Sequence, residues 1–123
     1  MITIESLDTF TKAYIECAFW SSNDELTENG GEPLDKNYGI EDLAPETLAK
    51  MIEDCKKFQE ENWDDISSDP SQAGHDFWLT RNGHGAGFWD GPWETELGQK
   101  LSNASEEYNR FDLYIGDDGK IYA

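Results

Sequence analysis

HDFWLTRNGHGAGFWD, residues 75–90, gathers both histidines of the chain, one of its two arginines and four large rings, Phe77, Trp78, Phe88 and Trp89. Imidazole and carboxylate groups ligate divalent metals and exchange protons near neutral pH. His75, Asp76, Arg81, His84 and Asp90 are therefore the candidate set for a metal-dependent or hydrolytic centre. The stretch alternates and carries a Gly-rich turn, which predicts two antiparallel strands. A two-residue turn at Asn82-Gly83 places Arg81 opposite His84, Leu79 opposite Ala86, Phe77 opposite Phe88 and His75 opposite Asp90. Six residues of strand then hold the histidines about 20 Å apart, too far for one ion. In that register Trp78 faces Gly87, Phe77 pairs with Phe88, and the hairpin organises the fold, with Trp78 or Arg81 available to a partner. A wider loop through GHGAG would fold His84 back, because glycines permit unusual dihedrals.

Other catalytic signatures are missing from the sequence. There is no GxSxG elbow, P-loop or dinucleotide fingerprint, and no cysteine stands beside a histidine. GDDG at 116–119 lacks the spacing of a calcium loop and reads as a turn. The expectation is no cofactor and no metal, with an enzyme less favoured than a binding protein.

The carboxylates are more unusual than the histidines. Among 123 residues, 27 acids oppose 9 Lys and Arg, for a net charge of −18. Such a charge disfavours contact with phosphate and with anionic lipid, so neither direct nucleic-acid binding nor membrane attachment is expected. Between Asp24 and Asp69 there are 15 acids and 4 lysines, a local net charge of −11. Glu60/Asp64 and Glu61/Asp65 are like-charge pairs one helical turn apart, facing the negative end of the helix dipole. A solubilising face is the plain explanation. The sharper one is imitation of DNA, since carboxylates one turn apart repeat at roughly 5–6 Å, comparable to a phosphate track. Asp24, Glu25, Glu53, Asp54, Glu60, Glu61, Asp64 and Asp65 are the candidate phosphate surrogates. Exposed tryptophans beside them would supply desolvated anchors.

The elements that must position these groups follow from periodicity. Leu7, Phe10, Tyr14, Cys17 and Ala18 predict a helix from Ser6 to about Trp20, with Ser6 or Asp8 as cap. Residues 21–43 read as a long surface connection. Pro45 opens a second helix, whose buried face runs through Leu48, Met51 or Ile52, Cys55, Phe58 and Asn62 to about Asp65. ISSDPSQAG reads as its terminator. After the 75–90 hairpin, Trp93, Leu97, Leu101, Ala104 and Tyr108 predict a third helix, and FDLYIGDDGKIYA a closing hairpin. The expected architecture is a single α+β domain over residues 1–123, ordered α-α-β-β-α-β-β, with an antiparallel sheet of about four strands packed against helices. Five Trp, five Tyr and six Phe predict a core heavy in rings. Cys17 and Cys55, each on an apolar helix side, read as buried free thiols in a reducing cytosol. MITIESLDTF has no signal-peptide pattern, and no run reaches membrane-spanning length.

QAGHDFWLTRNGHGAGFWDG and the ending DLYIGDDGKIYA resemble a group of small acidic proteins of bacteriophages and related mobile elements. The resemblance extends from about Leu34, through LDKNYGIEDLAPETLAKM, to the C-terminus, and brings no catalytic residues with it. It implies a viral protein in the cytoplasm of a bacterial host, where small acidic proteins disarm restriction, repair or transcription enzymes. The partner it implies is a host protein with a basic or DNA-binding surface. A module for virion or complex assembly is the other binding class, and its mark is oligomerisation through exposed rings.

Overall fold

The structure, a computed structural model, describes residues 6–24, 32–34, 38–82, 87–88, 93–108 and 110–123. Four α-helices dominate it: α1 (Thr9–Ser21), α2 (Pro45–Ile66), α3 (Pro70–Arg81) and α4 (Thr95–Glu106). The strands are two residues each. β1 (Asn23–Asp24) pairs antiparallel with β2 (Glu32–Pro33), and β3 (Tyr114–Ile115) with β4 (Ile121–Tyr122). This corrects the α+β expectation: the described residues form a helical fold with two short ribbons, and no four-stranded sheet occurs among them.

The reversal lies at residues 70–82. Asp69 accepts a hydrogen bond from the Gln72 amide (3.2 Å) and Pro70 occupies the first turn, a cap and opener that start α3 where a loop is expected. His75 to Arg81 is therefore helical, and Asn82 is the helix cap, its Nδ2 donating to the Trp78 carbonyl (3.1 Å). The predicted first strand of the hairpin, residues 75–81, is thereby overturned; Gly83 of its predicted turn lies outside the described residues. The helical signal is hidden because Ala73, Gly74, Asp76, Phe77, Trp78, Leu79, Thr80 and Arg81 are all buried. With its second half enclosed on every side, the helix has no single apolar stripe to betray its period.

The other helices lie where the spacing predicts them, since each buries one face. Asp8 caps α1 through the Thr11 amide (2.7 Å), and Pro45 opens α2. α1 packs most extensively on α3, and Gly74 permits that approach: a Cβ there would stand 2.1 Å from the Phe10 carbonyl oxygen. Around this crossing the rings form a continuous core. Phe58 and Phe77 stack at 4.2 Å, Tyr14 meets Trp78 edge-on at 5.3 Å, and Phe77 meets Tyr108 at 5.0 Å.

Two polar ties close the molecule. Asn82 Oδ1, fully buried, accepts from the Phe111 amide (2.6 Å), joining the end of α3 to the C-terminal segment. Leu43 bridges Ile121, and the Ala44 amide donates to the Ile121 carbonyl (2.9 Å), holding β4 to the start of α2. Phe111 and Leu113 turn inward and Asp112 and Tyr114 outward, the alternation expected of the closing hairpin. Gly119, at φ +80°, supplies the left-handed residue of its turn.

Candidate functional site

Arg81 lies at the centre of the core rather than in a reactive site. Its guanidinium donates to Asp54 Oδ2 (2.9 Å) and to the Tyr14 hydroxyl (3.0 Å). The rings of Phe77, Tyr108 and Phe111 surround it, with centroids at 5.6, 5.4 and 5.2 Å. Lys50 reaches the other oxygen of Asp54 (2.9 Å). Burial holds the Tyr14 hydroxyl well above its ordinary pKa and pushes Tyr108 up to about 12, with Glu61 adding to the latter. These groups stay protonated and structural at neutral pH. Asp54 and Arg81, expected at a partner surface or in a catalytic set, are committed to each other. Trp78 is equally withdrawn: fully buried, it donates from Nε1 to Ser21 Oγ (2.7 Å).

The predicted hairpin contacts are replaced accordingly. Gly87 lies beside Thr80, whose Oγ1 accepts from the Phe88 amide (3.2 Å), and Phe88 packs between Phe58 and Trp93. His84 and Asp90 lie outside the described residues. Of the proposed catalytic set, the structure brings together only His75 and Asp76, with Nδ1 3.4 Å from Oδ1. Among the described residues no group of three or more His, Cys, Asp or Glu could hold a metal ion.

Asp76 is nonetheless a notable carboxylate. It is 3% exposed, and its hydrogen bonds come mostly from neutral donors: Gln72 Nε2 reaches both oxygens (3.0 and 3.1 Å) and Trp93 Nε1 reaches Oδ2 (2.8 Å). These bonds offset the cost of burying the charge. Gln72 and His75 stand at the same time on the wall of a cavity of about 740 Å³ between α1, the start of α3 and the 3₁₀ turn Ile40–Asp42. Ala13, Ile15, Phe19 and Ile40 give it apolar walls, and Trp20, 59% exposed, lies 6.0 Å from the His75 ring. Cys17 also lines it, but burial, reinforced by Asp76, pushes its thiol up to about 12, so it is no thiolate nucleophile. Both cysteines are free and buried. Sequence reasoning missed this cavity. The legible trace of it was Gln72 and Asp76 at i,i+4 behind the Asp69-Pro70 helix start.

The acidic candidates divide sharply by exposure. Glu53, Glu60, Glu61 and Asp64 are exposed on α2, whereas Asp65 is half-buried and bound to Lys100 of α4 (2.5 Å). Asp24 falls in β1, described by its backbone alone, and Glu25 lies outside the described residues. No ion pair joins Glu60, Glu61 or Asp64 to a cation among the described residues. Trp63, 47% exposed, stands among them. Lys56 and Lys57 interrupt the acidic face one turn earlier, so the uninterrupted carboxylates are confined to the C-terminal end of α2. Lys57 leans over the Tyr108 ring, 5.7 Å from its centroid.

No family model, curated protein or solved structure matches the chain. Fold and site define it as a small helical protein with an aromatic core and an acidic exterior. Among the described residues no helix is long and apolar enough to cross a membrane.

Proposed function

We propose that the protein is an acidic interaction protein that docks on the basic, nucleic-acid-binding surface of another protein and occupies it in place of DNA. The observation that supports this is the C-terminal end of α2, where Glu60, Glu61 and Asp64 are exposed around the half-exposed Trp63. Glu60 and Asp64, four residues apart, are about 6 Å apart along the axis, a spacing suited to cations that bind successive phosphates. Trp63 adds the large apolar contact that charge alone does not provide. Carboxylates at this helix end oppose the dipole at roughly 0.3–1 kcal/mol each, a cost that a cationic partner would reverse. The reading draws further support from the resemblance to small acidic phage proteins, which implies as partner a host restriction, repair or transcription protein in the bacterial cytoplasm.

Capture from bacterial lysate on the immobilised protein tests it. The expected partners bind nucleic acid, are displaced by duplex DNA, and are released steeply as salt rises. The triple variant Glu60→Gln/Glu61→Gln/Asp64→Asn, like Trp63→Ala, should weaken binding about tenfold or more, equivalent to about 1.4 kcal/mol. Partners that bind no nucleic acid, or that DNA fails to displace, would sink the proposal.

A further inference from the structure

The hydrogen-bonding inventory of the α1–α3 cavity is one-sided. Asp76, as a carboxylate, can only accept, so the Gln72 amide must turn its nitrogen toward it, leaving Gln72 Oε1, an acceptor, without a donor among the described residues. In the neutral imidazole the same constraint places the proton of His75 on Nδ1, which faces Asp76, and leaves Nε2 as an acceptor. Among the described residues the remaining charged side chains on the walls are Glu16 and Glu41, and none of the wall residues is lysine or arginine. Glu41 is folded back at its edge: a Cβ on Gly39 would stand 2.8 Å from Glu41 Oε2. A buried aspartate thus converts two neighbouring polar side chains into acceptors, and two carboxylates complete the set.

The cavity also has an aromatic wall. Trp20 is the most exposed large hydrophobic residue of the described chain, and indole is the strongest neutral partner for a cation. The volume of about 740 Å³ lies within the roughly 300–1,000 Å³ usual for small-molecule sites, and Ile15, Phe19 and Ile40 supply the hydrocarbon contact.

We infer that this cavity is a binding site for a small amphipathic organic cation, a ring or alkyl body bearing an ammonium or guanidinium head. The head donates to Glu16, Glu41 and the acceptor atoms of Gln72 and His75, and lies against the Trp20 face; the body packs on Ile15, Phe19 and Ile40. The site is on elements other than the acidic end of α2 and stands independently of the function proposed above.

Calorimetry with phenethylammonium, and with phenylacetate as the anion of matching size, tests the inference on the whole chain. Amide and indole NMR spectra follow Trp20 in the same titrations. The expected result is saturable binding of phenethylammonium that shifts the Trp20 indole N–H, and no binding of phenylacetate. Trp20→Ala and Glu16→Gln/Glu41→Gln should each weaken the cation about tenfold or more, a loss of about 1.4 kcal/mol. All three positions affected are exposed at the cavity edge, so folded spectra are expected to persist. Glu60→Gln/Glu61→Gln, which removes charge elsewhere, should change the affinity by less than about twofold. Equal binding of phenylacetate, non-saturating uptake of the cation, or an equal loss in the remote variant would overturn the assignment.

Discussion

Arg81 carries one of only two guanidinium groups in the chain, and the fold spends it inside. Its partners Asp54 and Tyr14 come from α2 and α1, so a single side chain ties three helices together at their common centre. A buried ion pair of this kind is costly to form and costlier to break on one side, because the surviving charge loses a buried partner without regaining solvent; Asp54 would keep its contact with the exposed Lys50 and lose the enclosed one. Arg81→Met should therefore lower the unfolding free energy by about 3–5 kcal/mol in urea denaturation, and Arg81→Met/Asp54→Leu should regain much of that loss. A single-variant loss below about 1 kcal/mol would show that the pair is not the keystone described. The rarity of Arg81 was legible in the sequence, but its destination was not. The hairpin reading leaves it available to an outside partner, whereas its partner is Asp54, far away in the chain and indistinguishable by type from the exposed carboxylates around it.

At the level of elements, α3 is the helix around which the others are arranged, and it is the one that the sequence concealed. α1, α2 and α4 each bury a face and leave another wet, which gives them a readable period. α3 is buried on every side from Asp76 onward, and its Gly74, Thr80 and polar Asp76 look unhelical until their neighbours are known. Asp69-Pro70 was the available start signal, outweighed by the surrounding Ser, Asp and Gly. Gly74 makes the point testable. Alanine there gains about 1 kcal/mol of helix propensity, yet its Cβ would stand 2.1 Å from the backbone oxygen of Phe10. Backbone cannot yield as a flexible side chain can, so Gly74→Ala should destabilise the protein by about 1–3 kcal/mol net, read as a lowered midpoint in thermal or urea unfolding. An unchanged or raised midpoint would mean that α1 and α3 do not meet so closely.

For the molecule as a whole, a net charge of −18 is held around a dense aromatic centre. Self-repulsion opposes the compact state and is screened by salt, so the melting temperature should rise as NaCl increases from about 10 mM to about 500 mM, most steeply at the low end. A melting temperature independent of salt would show that the acids are locally compensated. The composition made both the ring-rich core and the acidic exterior readable; the cavity, assembled from α1, α3 and the 3₁₀ turn, was not. The bridge between Leu43 and Ile121 has a consequence in time rather than in space. Residues so far apart in sequence meet late, because the intervening chain must be ordered before their contact repays the entropy of closure. During synthesis the α2 entrance must therefore wait, exposed, until β4 has left the ribosome. The corner between α2 and the ribbon closes only when β4 arrives.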